Sequence, residues 1–289
     1  MNTEFLQVDV FTETAYRGNP LAVFPKAGEL TRRQMQAIAR EMNLSETTFV
    51  TSAARDSYQV LIFTPQEELP FAGHPTIGTA WTLRHLGLIS GDEVYQHSPA
   101  GPTPIRARGQ TLWFTRSGSA TEDFEDTDPN ASRRIADALS VDVDAIGLEA
   151  RELGRPGLLR PAFSDAGLRQ LMVPVKNLDT LGGCRPDAER LRDVSPHGAY
   201  CFTGVGAGQA RARGFFPDFG IPEDPATGSA AAALGLYLAS RLGAVELSVT
   251  QGVEIGRPSL IRIEAEPGSV AVGGSCRMVL SGRLEALPG

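Results

Sequence analysis

Two seven-residue segments of this chain align without a gap: His74-Pro75-Thr76-Ile77-Gly78-Thr79-Ala80 and Asp224-Pro225-Ala226-Thr227-Gly228-Ser229-Ala230. Each follows a strand-like run that ends in Phe with Pro close behind, Phe63-Thr64-Pro65 in one half and Phe215-Phe216-Pro217 in the other. One such heptad is weak evidence. Two at corresponding places in two halves predict an internal duplication. Each heptad opens a largely apolar stretch, Thr76 to Leu86 ended by Gly87 and Ala226 to Leu242 closed by Gly243. A helix apolar on nearly all faces must be buried, so each half is predicted to wrap its strands around one central helix.

The order of segments repeats in the same way. In the first half, strand-like runs at Phe5 to Phe11 and Leu21 to Phe24 flank a turn at Gly18-Asn19-Pro20. A helix is predicted over Thr31 to Met42, with capping-box spacing between Thr31 and Gln34 and with Met35, Ile38 and Met42 on one face. Strands follow at Thr47 to Val50, Tyr58 to Phe63, Glu93 to Gln96 and Leu112 to Thr115. The stretch Ser117 to Asn130 turns to Ser, Gly, Thr, Asp and Glu and is the best linker. The domains are accordingly set at 1–118 and 119–289, with the last strand able to return to the first domain. The second half is expected to carry strands at Leu168 to Val175, Ala199 to Thr203 and Ala210 to Phe216, with a short helix over Asp187 to Val194. Strands at Val245 to Thr250, Leu260 to Ala265, Ser269 to Val272 and Arg277 to Leu284 finish it.

A formal charge of -7 disfavours nucleic acid and anionic membranes as partners, because phosphates are repelled. Only Lys26 and Lys176 are lysines among the 27 basic residues, and the arginines are scattered rather than gathered in a patch. Cys184, Cys201 and Cys276 show neither metal-ligand spacing nor a disulfide framework, and read as buried thiols of a reducing compartment. The start of the chain lacks a basic and apolar signal region, and no apolar run approaches the ~20 residues of a membrane span. A cytoplasmic protein that needs no membrane is the expectation.

The paired junctions have a chemical consequence. A helix start leaves N–H groups unpaired and carries partial positive charge, and Gly lets a ligand approach the backbone. Two such starts related by pseudo-symmetry could hold a small carboxylate, with His74 set against Asp224 and Thr79 against Ser229. Plainer readings remain open. Asp224 before Pro225 serves equally as an N-cap, Ser229 as a local hydrogen-bonder in the first turn, and His74 as a loop residue. Taken by itself, Glu46 in Asn43-Leu44-Ser45-Glu46-Thr47-Thr48-Phe49-Val50 reads as a solvated charge where a helix exit enters a strand.

Longer motifs carry a resemblance. They are Asp9-Val10-Phe11 with Gly18-Asn19-Pro20-Leu21-Ala22-Val23, Ser45-Glu46-Thr47-Thr48-Phe49, and Phe63-Thr64-Pro65 with Glu68-Leu69-Pro70-Phe71-Ala72-Gly73-His74-Pro75-Thr76. Further on come Gly167 to Val175, Glu223-Asp224-Pro225-Ala226-Thr227-Gly228-Ser229-Ala230, and Gln251-Gly252 with Gly256-Arg257-Pro258-Ser259. In this order they resemble the PhzF-like family of phenazine biosynthesis, whose fold is like that of diaminopimelate epimerase. The resemblance implies an α+β fold of two pseudo-symmetric domains, each a strongly curved mixed sheet or barrel around a central apolar helix. It also implies a homodimer, a ligand cleft between the domains, and neither cofactor nor metal.

The family's best-understood activity isomerises trans-2,3-dihydro-3-hydroxyanthranilate by moving a proton along the ring. Its catalytic Glu maps onto Glu46, and its His, Asp and Ser onto His74, Asp224 and Ser229. Asn19, Ser45, Gly73, Thr76 and Gly228 become substrate contacts. A carboxylate with an ordinary pKa near 4 is a weak base towards carbon, so Glu46 is expected to be buried, beside Phe49 and Phe71. Without a cofactor the substrate must stabilise its own carbanion, which points to a conjugated or allylic acid. The related epimerases place two cysteines at the junctions, and no cysteine of this chain lies there. Two alternatives accompany the isomerase reading: an amino-acid epimerase or racemase with non-thiol bases, and a binding protein with a catalytically silent cleft.

Overall fold

The computed structural model describes residues 3–124, 128 and 130–289. These form two compact units, one comprising the chain through Thr115 with Gly273–Gly289, the other Arg116–Val272.

In the first unit, β1 (Thr3–Val10) and β2 (Asn19–Phe24) are antiparallel. After α1 (Arg32–Met42), β3 (Glu46–Ala54) joins β2 in parallel, and β4 (Ser57–Phe63) returns antiparallel to β3. The short β5 (Glu68–Leu69) pairs with the end of β4. After α2 (Gly73–His85), β6 (Glu93–Ser98) lies parallel to β4, and β7 (Gly101–Arg108) and β8 (Thr111–Ser117) follow as antiparallel neighbours.

The second unit repeats this sequence of pairings. Ahead of it come β9 (Ser119–Asp123), α3 (Ala131–Leu139) and a separate two-residue pair, β10 (Leu148–Glu149) with β11 (Leu158–Leu159). Then β12 (Ala162–Asp165) and β13 (Arg169–Pro174) are antiparallel. The helices α4 (Leu178–Gly183) and α5 (Ala188–Val194) lead to β14 (Ala199–Gly206), parallel to β13. Next, β15 (Gln209–Phe216) is antiparallel to β14, and the short β16 (Ile221–Asp224) pairs with β15. After α6 (Gly228–Leu242), β17 (Val245–Gln251) lies parallel to β15 and β18 (Ser259–Glu266) antiparallel to β17. The chain closes with β19 (Ser269–Gly274) and β20 (Cys276–Leu284), and β20 lies antiparallel on β1 as β9 does on β12. The duplication read from two heptads therefore extends through the strand order of both units.

Local chemistry accounts for the elements that position the site. Thr31 and Gln34 close a reciprocal capping box on α1, which ends at Asn43 in the left-handed region at φ 50°. Its Met35, Ile38 and Ala39 cover one face of the sheet together with Phe24, Phe49 and Phe63. The Phe49 ring stacks on Phe24 and meets Phe63 edge-on, and burying one such ring contributes about 2–3 kcal/mol.

The helices α2 and α6 are buried on every side over most of their lengths, as their composition demands. In α6 the strands approach so closely that a Cβ on Gly235 would sit 2.7 Å from Ile263 Cγ2 and 2.7 Å from Val270 Cγ2. Both neighbours are stiff β-branched side chains. Gly235→Ala is therefore expected to destabilise by about 1–2 kcal/mol, since overpacking outweighs the ~1 kcal/mol helix-propensity gain. A urea midpoint equal to or above wild type would show that the strands can yield.

Two expectations need correction. Part of the predicted linker is strand β9, because backbone pairing with β12 overrides the poor strand propensity of its polar residues. The rest of that linker, 125–127 and 129, lies outside the described residues. The two heptads also occupy different positions on their helices. Gly73 is the first residue of α2, so Pro75 falls inside the first turn, whereas α6 begins at Gly228 and Pro225 precedes it. Pro75 is tolerated there because the first-turn N–H groups have no partner within the helix. Among the described residues no helix is long and apolar enough to cross a membrane.

Candidate active site

Glu46 is the first residue of β3, in parallel register with Leu21 of β2. Strand alternation places it on the same face as Thr48, whose hydroxyl accepts from Thr79 of α2 at 2.9 Å. Phe49 belongs to the opposite face, against α1, so it is not the apolar neighbour of Glu46 that was expected. The Phe71 ring packs edge-on against Phe114. Glu46 is nevertheless only 8% exposed, although composition alone reads it as a solvated charge.

His74, the second residue of α2, is 3% exposed. Its Nε2 lies 3.5 Å from Glu46 Oε2, and its Nδ1 is 3.2 Å from the Asn19 side-chain nitrogen at the start of β2. With the Asn19 amide N–H donating, Nδ1 accepts and the ring proton sits on Nε2, facing the carboxylate. Burial pushes the imidazole down from its usual value to about 3, so the ring is neutral at neutral pH. Two strands and a helix thus converge: Asn19 of β2 orients His74 of α2, and His74 presents an N–H edge to Glu46 of β3.

A neutral buried histidine leaves a thermodynamic signature. The unfolded chain binds a proton near pH 6.5 and the folded chain only near 3, so stability is fully present above about pH 6.5 and is lost as pH falls towards 3. The slope approaches about 1.4 kcal/mol per pH unit within that window. Urea unfolding at pH 7.5 and 5 is expected to show a smaller acid loss for His74→Gln than for wild type. An unchanged acid loss would mean that His74 is charged in the folded protein.

The other residues of the first unit are placed as follows. Ser45 is half-buried just before β3, and Gly73 is buried at the head of α2. The Thr76 hydroxyl donates to Ala72 O at 2.8 Å and accepts from Gln96 Nε2 at 2.9 Å, so it is committed inside the unit. Thr79 is likewise buried, bonded to Thr48, and is a core residue rather than a ligand hydroxyl.

In the second unit Asp224 ends β16 and is 4% exposed. It is not the N-cap of α6; Thr227 holds that position. Asp224 Oδ2 instead accepts from the Thr227 hydroxyl at 2.5 Å. Gly228 is the buried first residue of α6, and Ser229, the second, is half-exposed. Next to Asp224, Glu223 makes a bidentate, largely buried ion pair with Arg213, at 2.9 and 2.7 Å. Composition gave no signal for this pair. Gln251, Tyr200 and Thr227 were also missed as a group, since nothing in local periodicity links β14, β17 and the start of α6. Among the described residues no three His, Cys, Asp or Glu side chains gather as a metal site.

Comparison with known proteins gives this arrangement its context. The model of the PhzC-PhzF family, "Phenazine biosynthesis-like protein", matches residues 8–283. The trans-2,3-dihydro-3-hydroxyanthranilate isomerase of Pseudomonas fluorescens is 35% identical over 271 residues, 91% of this chain and 90% of that protein. An uncharacterised isomerase of Pasteurella multocida is 36% identical over 282 residues, 96% of this chain and 92% of its own length. The crystal structure of the PhzF-family phenazine biosynthesis protein of Bacillus anthracis superposes with a TM-score of 0.83 at 24% identity, covering 99% of this chain and 100% of that one. The protein is thus an isomerase with the α+β fold of these neighbours. It belongs to the phenazine biosynthesis-like, PhzC-PhzF family.

Proposed function

We propose that this isomerase shifts a proton, and with it a double bond, in a small unsaturated carboxylate of the class of trans-2,3-dihydro-3-hydroxyanthranilate, with Glu46 as the base. The observation that carries the reading is the pair formed by a buried Glu46 carboxylate and a neutral His74 at 3.5 Å. In the proposed step the carboxylate takes the proton of an allylic C–H, and the electron pair passes into the substrate's conjugated system. The protonated Glu46 then returns that proton to another carbon on the same face. A neutral His74 steadies the carboxylate through its N–H without adding a positive charge, which would weaken the base. Asp224 and Ser229 position the substrate and relay protons, while Asn19, Ser45 and the backbones at Gly73 and Gly228 supply contacts. A homodimer and a cytoplasmic setting belong to the same proposal; for the dimer, light scattering is expected to give the mass of two chains, and the mass of one chain would remove it.

The test is proton NMR of the dihydro acid during incubation with the protein. Migration of the ring double bond supports the proposal. Inversion at one carbon with the double bonds in place points instead to epimerase chemistry. An unchanged spectrum at high enzyme concentration removes this acid as a substrate.

A further inference from the structure

The motif Gln251-Gly252 with Gly256-Arg257-Pro258-Ser259 has no role in the reaction as described, yet its side chains and backbone converge on the segment that bears Asp224. Gln251 ends β17 and is fully buried. Its Oε1 accepts from the Tyr200 hydroxyl at 2.8 Å and from the Thr227 backbone N–H at 3.1 Å. Those two donors fix the orientation of the amide, because a flipped amide would set N–H against N–H. The Nε2 group then donates to Asp224 O at 2.8 Å and to Thr227 Oγ1 at 2.9 Å. Since Thr227 Oγ1 already accepts there, its single hydrogen is directed onto Asp224 Oδ2, 2.5 Å away. The result is a chain of fixed polarity: Gln251 N–H to Thr227 O–H to the Asp224 carboxylate.

The rest of the motif closes the same segment from another side. The Ser259 hydroxyl lies 3.1 Å from Pro225 O and 3.2 Å from Gln251 O. Gly252 adopts φ +75°, and a Cβ there would stand 2.5 Å from both Pro225 O and Arg257 O. Only glycine lets these backbones approach so closely. Arg257 N–H donates to Gly252 O at 2.9 Å and completes the turn.

The geometry points to Gln251 and Thr227 as positioning residues that hold the Asp224 carboxylate in one orientation, as a hydrogen-bond acceptor, for the proton-shift reaction. This rests on the isomerase reading above. Neither residue needs to touch the substrate. A carboxylate that must meet a reacting acid within a few tenths of an ångström gains from such preorganisation, and a displacement of 1 Å costs about 100-fold in rate. A purely structural role would leave kcat intact in any variant that folds normally.

The test compares Thr227→Val, Thr227→Ser and Gln251→Ala with wild type, by steady-state turnover of the dihydro acid and by amide hydrogen exchange. Thr227→Val keeps shape but loses the hydroxyl, so kcat is expected to fall about 10–100-fold with KM within about threefold, while Thr227→Ser recovers most of the rate. In Gln251→Ala the Thr227 amide loses its acceptor, and its exchange is expected to quicken at least about tenfold over the neighbouring core amides. A Thr227→Val enzyme with wild-type kcat, or a Thr227→Ser enzyme as impaired as Thr227→Val, overturns the proposal. Should wild type not turn over the acid, this acid is removed as a substrate. The exchange experiment then decides alone, and an unchanged Thr227 amide in Gln251→Ala overturns the positioning claim.

Discussion

Glu46→Gln is expected to fold and to bind ligand but to lose turnover by about 10³-fold or more, the scale on which a positioned acid–base group acts. The substitution keeps the shape of the side chain and an oxygen facing the neutral His74 ring. It removes only the capacity to take a proton from carbon. Stability should change little, because the 3.5 Å contact joins a carboxylate to an uncharged partner, so no ion pair is lost. The readout is single-turnover substrate depletion by NMR, with thermal melting as a check on the fold. A Glu46→Gln enzyme within tenfold of wild type removes Glu46 from the mechanism and shifts attention to Asp224.

The largest stability effect is expected at Arg213. Its guanidinium clasps Glu223 with two hydrogen bonds, and its remaining N–H group reaches Leu181 O and Cys184 O at 3.0 Å each. Its side chain is 6% exposed and that of Glu223 12%. Arg213→Met strands the Glu223 carboxylate in this surrounding and takes one donor from the carbonyls at the end of α4, which costs about 3–5 kcal/mol. Pairing it with Glu223→Leu removes the stranded charge and should recover a large part of the loss. Because Glu223 adjoins Asp224, the single variant should also lose activity, even at temperatures where it remains folded. Urea unfolding of wild type, the single variant and the pair forms the check. A single variant within 1 kcal/mol of wild type would mean that solvent reaches Glu223 and that the clasp contributes little.

The duplicated architecture was legible because it rests on features a sequence displays locally. Thr31 and Gln34 announce the start of α1, the unbroken apolarity from Ala230 to Ala239 requires burial, and Gly87 and Gly243 end their helices. The strand β7 escaped because Pro102 and Pro104 argue against a strand, although its neighbours β6 and β8 pair with it on both sides. The helix α3 escaped although Ile135 and Leu139 repeat at helical spacing, because the polar run before it reads as continuing linker.

At the site the limit is different in kind. Glu46 becomes a buried carboxylate only because Leu21 and Thr48 set its strand register against α2, a long-range fact that no local pattern contains. The same holds for His74, kept neutral by burial and held in one tautomer by Asn19 of β2. Alignment of the heptads was informative about topology and misleading about detail. Identical spacing put Pro75 within a helix and Pro225 ahead of one, and it sent the Thr79 hydroxyl into the core.

The central claim is that one buried carboxylate removes a proton from carbon and returns it to another carbon of the same molecule. The most direct measurement uses the dihydro acid carrying deuterium at the reacting carbon, converted in ordinary water and examined by NMR within the first turnovers. With Glu46 8% and His74 3% exposed, the removed deuteron is shielded from exchange, and the account predicts deuterium at the accepting carbon well above the solvent background. A product whose accepting carbon bears only solvent hydrogen, from the first turnover onward, would contradict it.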